Sequence, residues 1–192
     1  MKASTIAIAT ALLLAPAAHP ATLTYLAVLS GPNESPVNSS PGTGRGVITI
    51  NTLTNMMEVA VQFQGLTGNT TASHIHCCTA APNSGTAGVA TQTPSFSGFP
   101  LGVTSGSFDQ FFDLTLAATY NAAFIPAGGV SVAESTFLAG IAAGDAYLNI
   151  HTTAFPSGEI RGFLVPTPEP VTFLMAGAVL AGLGIRRRSR AK

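Results

Sequence analysis

Three histidines in two separate segments are the residues best suited to chemistry in this chain. His74 and His76 are two apart in an apolar stretch, and residues two apart on a strand project from the same face of a sheet. His151 lies in another such stretch, so a sheet that places the two segments side by side would gather three imidazoles. Imidazole suits copper and zinc, and Glu159 or a cysteine would complete the site. The same pattern also fits buried, hydrogen-bonded histidines that tie strands together.

The two cysteines of the chain, Cys77 and Cys78, directly follow the second of these histidines. An intramolecular disulfide would have to join adjacent residues, whose α-carbons lie closer together than those of an ordinary disulfide. In an oxidising compartment we predict such a vicinal disulfide, which would stiffen the turn after His76. Ligation of a metal by the two thiolates is the alternative.

Glu159 and Arg161 are also two apart, and we predict that they point to the same face of the last strand. Arg161 is one of only two basic residues between positions 22 and 165. We predict a structural ion pair of Arg161 with Glu34, in an early turn, or with Glu159. Such a pair would hold the two ends of the domain together.

No spacing in the sequence links a nucleophile, a base and an orienting group. We therefore predict a binding or structural protein and not an enzyme, and we expect no cofactor. A redox protein that carries copper or zinc at the histidines is the alternative.

Apolar and polar residues alternate over much of the chain, which is the period of a half-buried β-strand. Strands are predicted at residues 23–29, 46–50, 57–63, 72–76, 107–114, 146–152 and 160–164. Turns rich in Gly, Pro and Asn separate them. This pattern predicts an all-β fold, an antiparallel sandwich or barrel.

One helix is predicted among the strands. Ser131 and Glu134 have the spacing of a capping box, and Phe137 and Ile141 recur at a helical interval before Gly144. Residues 79–106, rich in Thr, Ser, Gly and Pro, are predicted to form a long surface loop.

Both ends of the chain have the composition of targeting segments. Residues 1–21 combine Lys2, an apolar run and small residues, as in a secretory signal peptide. Residues 171–185 form an uncharged apolar run, about 22 Å long as a helix, and the arginines behind it would stay in the cytoplasm. We predict export of one domain, residues 22–165. Residues 166–192 would anchor it briefly in the inner membrane by a short transmembrane helix.

The charge of the predicted domain differs from that of the whole chain. Between positions 22 and 165 there are two basic and seven acidic residues, a net charge of −5, whereas the full chain is neutral. Because no basic patch is available to bind phosphate, we exclude nucleic acid as a partner.

The C-terminal segment has three parts: a Pro-Glu-Pro motif, the short apolar run and terminal arginines, carried by Pro168, Glu169, Pro170, Arg186, Arg187 and Arg188. In this it resembles the PEP-CTERM sorting signal of Gram-negative bacteria. The resemblance implies processing by a membrane protease of the exosortase type and delivery to the cell surface or the exopolysaccharide matrix. Exopolysaccharide or other surface proteins would then be partners.

Two further motifs are Ala-Ser-His-Ile-His at residues 72–76 and Tyr-Leu-Asn-Ile-His-Thr at residues 147–152, followed by Pro-Ser-Gly-Glu-Ile-Arg-Gly at residues 156–162. With them, residues 23–164 resemble a CHRD domain, named from chordin, an extracellular antagonist of bone morphogenetic proteins. The resemblance implies an immunoglobulin-like or barrel-like β fold and no established reaction. A His-x-His strand is also distantly similar to copper/zinc superoxide dismutase, which needs more histidines than the three of this domain.

Overall fold

Antiparallel strands dominate the computed structural model, which describes residues 22–167. The strands are β1 (Thr22–Ser30), β2 (Thr43–Asn51), β3 (Met56–Gln64), β4 (Thr70–His76), β5 (Gly106–Asp113), β6 (Tyr147–Thr152), β7 (Ile160–Phe163) and β8 (Val165–Pro166). The α-helix of these residues is α1 (Val130–Ala143), and short 3₁₀ turns lie at Gly31–Asn33, Ala117–Thr119 and Ala122–Phe124. The sheet order is β4-β6-β7-β1-β2-β3-β5, with β8 beside β1, and the sheet curls into a half-barrel.

All seven predicted strands are present, so the all-β antiparallel prediction is confirmed. The alternation of β3 illustrates why these residues form strands. Met57, Val59 and Val61 are at most 1% exposed and face the core, whereas Gln62 faces solvent. The two-residue strand β8 was not predicted, because two residues are too few to show an alternation of apolar and polar side chains.

The loop between β4 and β5 differs from the predicted surface loop. Its Phe96 and Phe99 are 2% and 5% exposed, and both rings pack against Phe108 of β5. Ala90 of the same loop donates a backbone hydrogen bond to Ile75 of β4. Through these contacts the loop closes one side of the core. The prediction missed them because the few apolar residues stand in a segment of polar composition.

Helix α1 ends where it was predicted to end but begins differently. Gly144 stops the helix in the left-handed conformation with φ 80°. At the other end the N-cap is Gly129, no side chain caps the helix, and Ser131 lies inside the first turn. The capping-box prediction for Ser131 and Glu134 is therefore wrong, because the helix starts one residue before that serine. Phe137 of the helix is fully buried in the core.

The predicted targeting segments lie outside the described residues. This applies to the signal peptide, residues 1–21, and to the sorting motif with its apolar run, residues 168–192. Along residues 22–167, no helix is long and apolar enough to cross a membrane. The export signals stay predictions.

Candidate metal centre

Strands β4 and β6 bring the three predicted histidines together. In their antiparallel ladder Ala72 pairs with His151 and His74 pairs with Asn149. Because side chains alternate along a strand, His74, His76 and His151 share one face of the sheet. One ring nitrogen from each lies within 4.8 Å of the other two. Their ring centroids are 4.7 to 5.9 Å apart.

Two backbone carbonyls hold the rings of His76 and His151. Nδ1 of His76 lies 2.9 Å from the carbonyl oxygen of Ala87, and Nδ1 of His151 lies 2.9 Å from that of Pro156. A carbonyl oxygen only accepts, so in each neutral ring Nδ1 carries the hydrogen and Nε2 keeps a lone pair. Both Nε2 atoms are buried and without a hydrogen-bond partner. Metal-binding histidines are commonly oriented in this way.

Burial keeps the three imidazoles neutral. His74 and His76 are 6% and 9% exposed, and His151 is half-buried. Burial lowers the pKa of His74 to about 3, and the neighbouring histidines add to the effect. Burial also lowers the pKa of His76 to about 4, against the opposing hydrogen bond to Ala87, and it lowers the pKa of His151. Neutral imidazole is the form that binds a metal ion.

Aromatic and cationic side chains continue outward from the histidines. The ring of Tyr147 stacks on His76, with centroids 4.7 Å apart and planes 6° from parallel. The guanidinium carbon of Arg161 lies 4.7 Å from the centroid of Tyr147. The Tyr147 hydroxyl is 3.3 Å from both the N–H and the carbonyl of Ala87, whose carbonyl also holds His76. The loop before β5 therefore positions both rings.

Arg161 forms an ion pair with Glu34, which is one of the two partners predicted for it from the sequence. The Nε and Oε2 atoms are 3.8 Å apart, and the side chains are 6% and 4% exposed. Arg161 also donates hydrogen bonds to the backbone carbonyls of Asn33 and Gly85. Burial raises the pKa of Glu34 to about 7, although Arg161 opposes the shift.

Buried polar atoms without hydrogen-bond partners concentrate on this face of the sheet. Six such side-chain atoms occur in residues 22–167, and five of them belong to the histidines and to the layer around Arg161: Glu34 Oε1, His74 Nδ1, His76 Nε2, Asn149 Oδ1 and His151 Nε2. An unsatisfied buried polar atom costs stability, and native structures contain few of them. Five of the six unsatisfied atoms therefore lie on or beside the histidine face of the sheet.

Glu159 neither completes the histidine site nor pairs with Arg161. Its buried carboxylate accepts four hydrogen bonds, from two hydroxyls and two backbone N–H groups: Ser40, Thr152, Thr67 and Gly68. Burial acts to raise the pKa of Glu159, but these hydrogen bonds outweigh it and lower the pKa. Strand β7 begins only at Ile160, so the alternation that predicted one face for Glu159 and Arg161 does not apply.

Cys77 and Cys78 are joined by a disulfide, so neither offers a thiolate to a metal. This is the vicinal disulfide that the sequence predicted, and the alternative of a cysteine ligand is wrong. The disulfide packs on α1 at Gly140, where an added Cβ would collide with Sγ of both Cys77 and Cys78. It thus joins the end of β4 to the helix through a contact that only glycine permits.

Sequence reasoning missed two side chains and four backbone carbonyls of this region. Tyr147 and Asn149 share the period-two face of His151, so the alternation of the predicted strand would have found them. The carbonyls leave no such signal, because every residue has a carbonyl group; they belong to Asn33, Gly85, Ala87 and Pro156.

Comparison with known proteins agrees with this fold and its motifs. Residues 25–164 match the family model of the CHRD domain, and this range contains the histidine face, Glu34 and Glu159. No curated protein matches the chain, and no solved structure matches it. Since the family model covers well over half of the sequence, the chain belongs to the CHRD domain family.

Proposed function

We propose that the chain is an exported CHRD-domain module that binds one copper or zinc ion and catalyses no reaction. The ligands are His74, His76 and His151. The observation that carries the proposal is the convergence of their ring nitrogens within 4.8 Å. Three buried nitrogens without partners at one place are accounted for by an ion that takes up their lone pairs.

The choice of copper or zinc follows from the ligand atoms. Imidazole nitrogen suits these ions, whereas magnesium and calcium take oxygen ligands. Zinc binds histidine at about 2.0–2.1 Å, which places the nitrogens of a tetrahedral site roughly 3.4 Å apart. The rings would therefore close on an ion by moving about 1 Å. His74 and His76 need lose no proton near pH 7, because burial already keeps them neutral.

Isothermal titration calorimetry of the full chain with Zn²⁺, and separately with Cu²⁺, tests the metal site. We expect one ion per chain and no binding by the double variant His74→Ala/His76→Ala. Asp109→Asn is the matched control, because it removes an exposed carboxylate from β5, at the other end of the sheet order. A folded protein that binds neither ion would leave the histidines as ties between strands, and it would contradict the proposal.

Export and surface sorting are supported by the two ends of the sequence. We propose that residues 1–21 are removed as a signal peptide and that an exosortase-type protease processes the chain at Pro168-Glu169-Pro170. The inner membrane would hold the precursor briefly, and the product would be kept at the cell surface or in the exopolysaccharide matrix. Exopolysaccharide or another surface protein would be its partner there.

Mass spectrometry of the protein recovered from fractionated cells tests the export proposal. We expect mature ends near residues 21 and 168, and most of the protein in the surface or matrix fraction. An intact chain that remains in the cytoplasm would contradict export without bearing on the metal site.

A further inference from the structure

The three proposed ligands are all neutral, which leaves the charge of a bound ion uncompensated. The potential ligand group of residues 22–167 consists of His74, His76 and His151 and includes no carboxylate or thiolate. A divalent ion would therefore bring two positive charges into a largely buried site. A buried charge is costly unless opposite charge lies beside it.

The surrounding charged side chains do not supply that opposite charge. Arg161 lies over Tyr147, which stacks on His76, so the nearest cation adds positive potential on this side. Glu34 is already paired with Arg161 at 3.8 Å. Glu159 belongs to a separate network with its own four donors. No carboxylate therefore lies free beside a bound divalent ion to act as its counter-charge.

We propose that the metal ion bound here keeps a coordination position for a small external anion, so that the site is a metal-dependent anion receptor. This inference rests on the proposed function. Metal ions held by three histidines commonly leave a position open to water or to another ligand. His151 is the least buried of the three histidines, so the anion would enter beside it. The ligand class is a monodentate anion: hydroxide, a halide or a single carboxylate group.

Azide titration of the Cu²⁺-loaded full chain tests the inference, because azide bound to copper gives a charge-transfer absorption and alters the electron paramagnetic resonance spectrum. We expect a saturable change in both spectra. If the protein holds copper and the spectra do not change, the inference is overturned and the metal site stands. If the folded protein holds neither copper nor zinc, the inference and the proposed function both fail.

A variant of His151 and a control far from the site test whether charge is the cause. His151→Asp supplies a negative ligand, so azide affinity should fall about tenfold while copper stays bound. Asp109→Asn, at an exposed position of β5 away from the histidines, should leave azide affinity unchanged. Unchanged azide affinity in a His151→Asp protein that still holds copper would overturn the charge argument. Competition by acetate, by chloride and by rising pH distinguishes carboxylate, halide and hydroxide as the natural ligand.

Discussion

Two buried polar groups lie on opposite faces of strand β6, and they differ in how completely their hydrogen bonds are satisfied. On the core-facing side Thr152 donates to Glu159, whose carboxylate accepts four hydrogen bonds. On the other side His151 meets His74 and His76, and each of the three leaves a buried ring nitrogen without a partner.

Under the proposed function, this difference separates a structural group from a binding site. A complete network stabilises the fold, whereas an incomplete one lowers stability until a ligand fills it. Both groups contain residue types that bind metals, so residue type alone does not distinguish them. The hydrogen-bond partners do, and they support the proposal that Glu159 is structural and that the histidines bind a metal ion.

The largest effect is expected on the satisfied side. Glu159→Ala would leave two hydroxyls and two N–H groups without an acceptor, and we expect a loss of about 3–5 kcal/mol in the free energy of unfolding. Urea denaturation measures it, with Asp109→Ala, an exposed carboxylate, as the control. A loss below about 1 kcal/mol would contradict the structural role of Glu159.

The histidines and Glu159 should make the stability of the fold depend on pH in different ranges. Because burial lowers the pKa of His74 to about 3 and that of His76 to about 4, the unfolded chain binds protons below pH 6.5 that the folded chain does not. Stability therefore falls as the pH falls from about 6.5 towards 4. The lowered pKa of Glu159 acts in a different window, because its contribution is present above pH 4.5 and is lost only below that value.

The double variant His74→Gln/His76→Gln isolates the histidine contribution. Between pH 7 and pH 5, the metal-free wild type should lose on the order of 2 kcal/mol more per histidine than the variant. Glu34, with its pKa raised to about 7, acts in the opposite direction, so the difference between the two proteins is the quantity to measure. Equal pH slopes in urea denaturation would show that the rings are not held neutral by the fold.

The ion pair beside the histidines should also contribute to stability. Arg161→Ala would leave Glu34 buried without its cation, and we expect a loss of about 2–3 kcal/mol. Arg45→Ala removes an exposed arginine of β2 and should have little effect. Thermal unfolding measures both variants, and an unchanged midpoint for Arg161→Ala would refute the structural role of the pair.

The smallest effect comes from removing one donor of the satisfied group. Thr152→Val deletes one of the four hydrogen bonds to Glu159 and the one that the hydroxyl accepts from the Phe155 N–H, and it should cost about 1–2 kcal/mol, with Thr152→Ser as the control that keeps the hydroxyl. The pKa of Glu159 should rise, so acid unfolding should start at a higher pH. If the threonine and valine proteins unfold at the same pH, the hydrogen bond does not stabilise the charged carboxylate.

The fold was largely predictable from the sequence, because strands with one buried face carry a period of two. The seven predicted strands show this, as does the end of α1 at Gly144. The helix start at Val130 was missed because its N-cap, Gly129, has no side chain to cap it. The apolar contacts of Phe96 and Phe99 were missed because they stand singly in a polar segment.

The candidate site was predictable in part. Spacing placed His74 and His76 on one face, but only the pairing of β4 with β6 brings His151 to them, and that pairing spans some 75 residues of sequence. The role of Glu159 was not predictable, because its donors Ser40 and Thr67 come from distant turns. The carbonyls that orient His76 and His151 have no sequence signal at all.

Elemental mass spectrometry of the purified full chain, after exposure to copper and zinc and removal of free metal, tests the central claim most directly. We predict nearly one copper or zinc ion per chain, lost in His74→Ala/His76→Ala and kept in Thr152→Ser. A folded wild-type protein without metal would contradict the account, and the unpartnered nitrogens of the histidine face would then need another explanation.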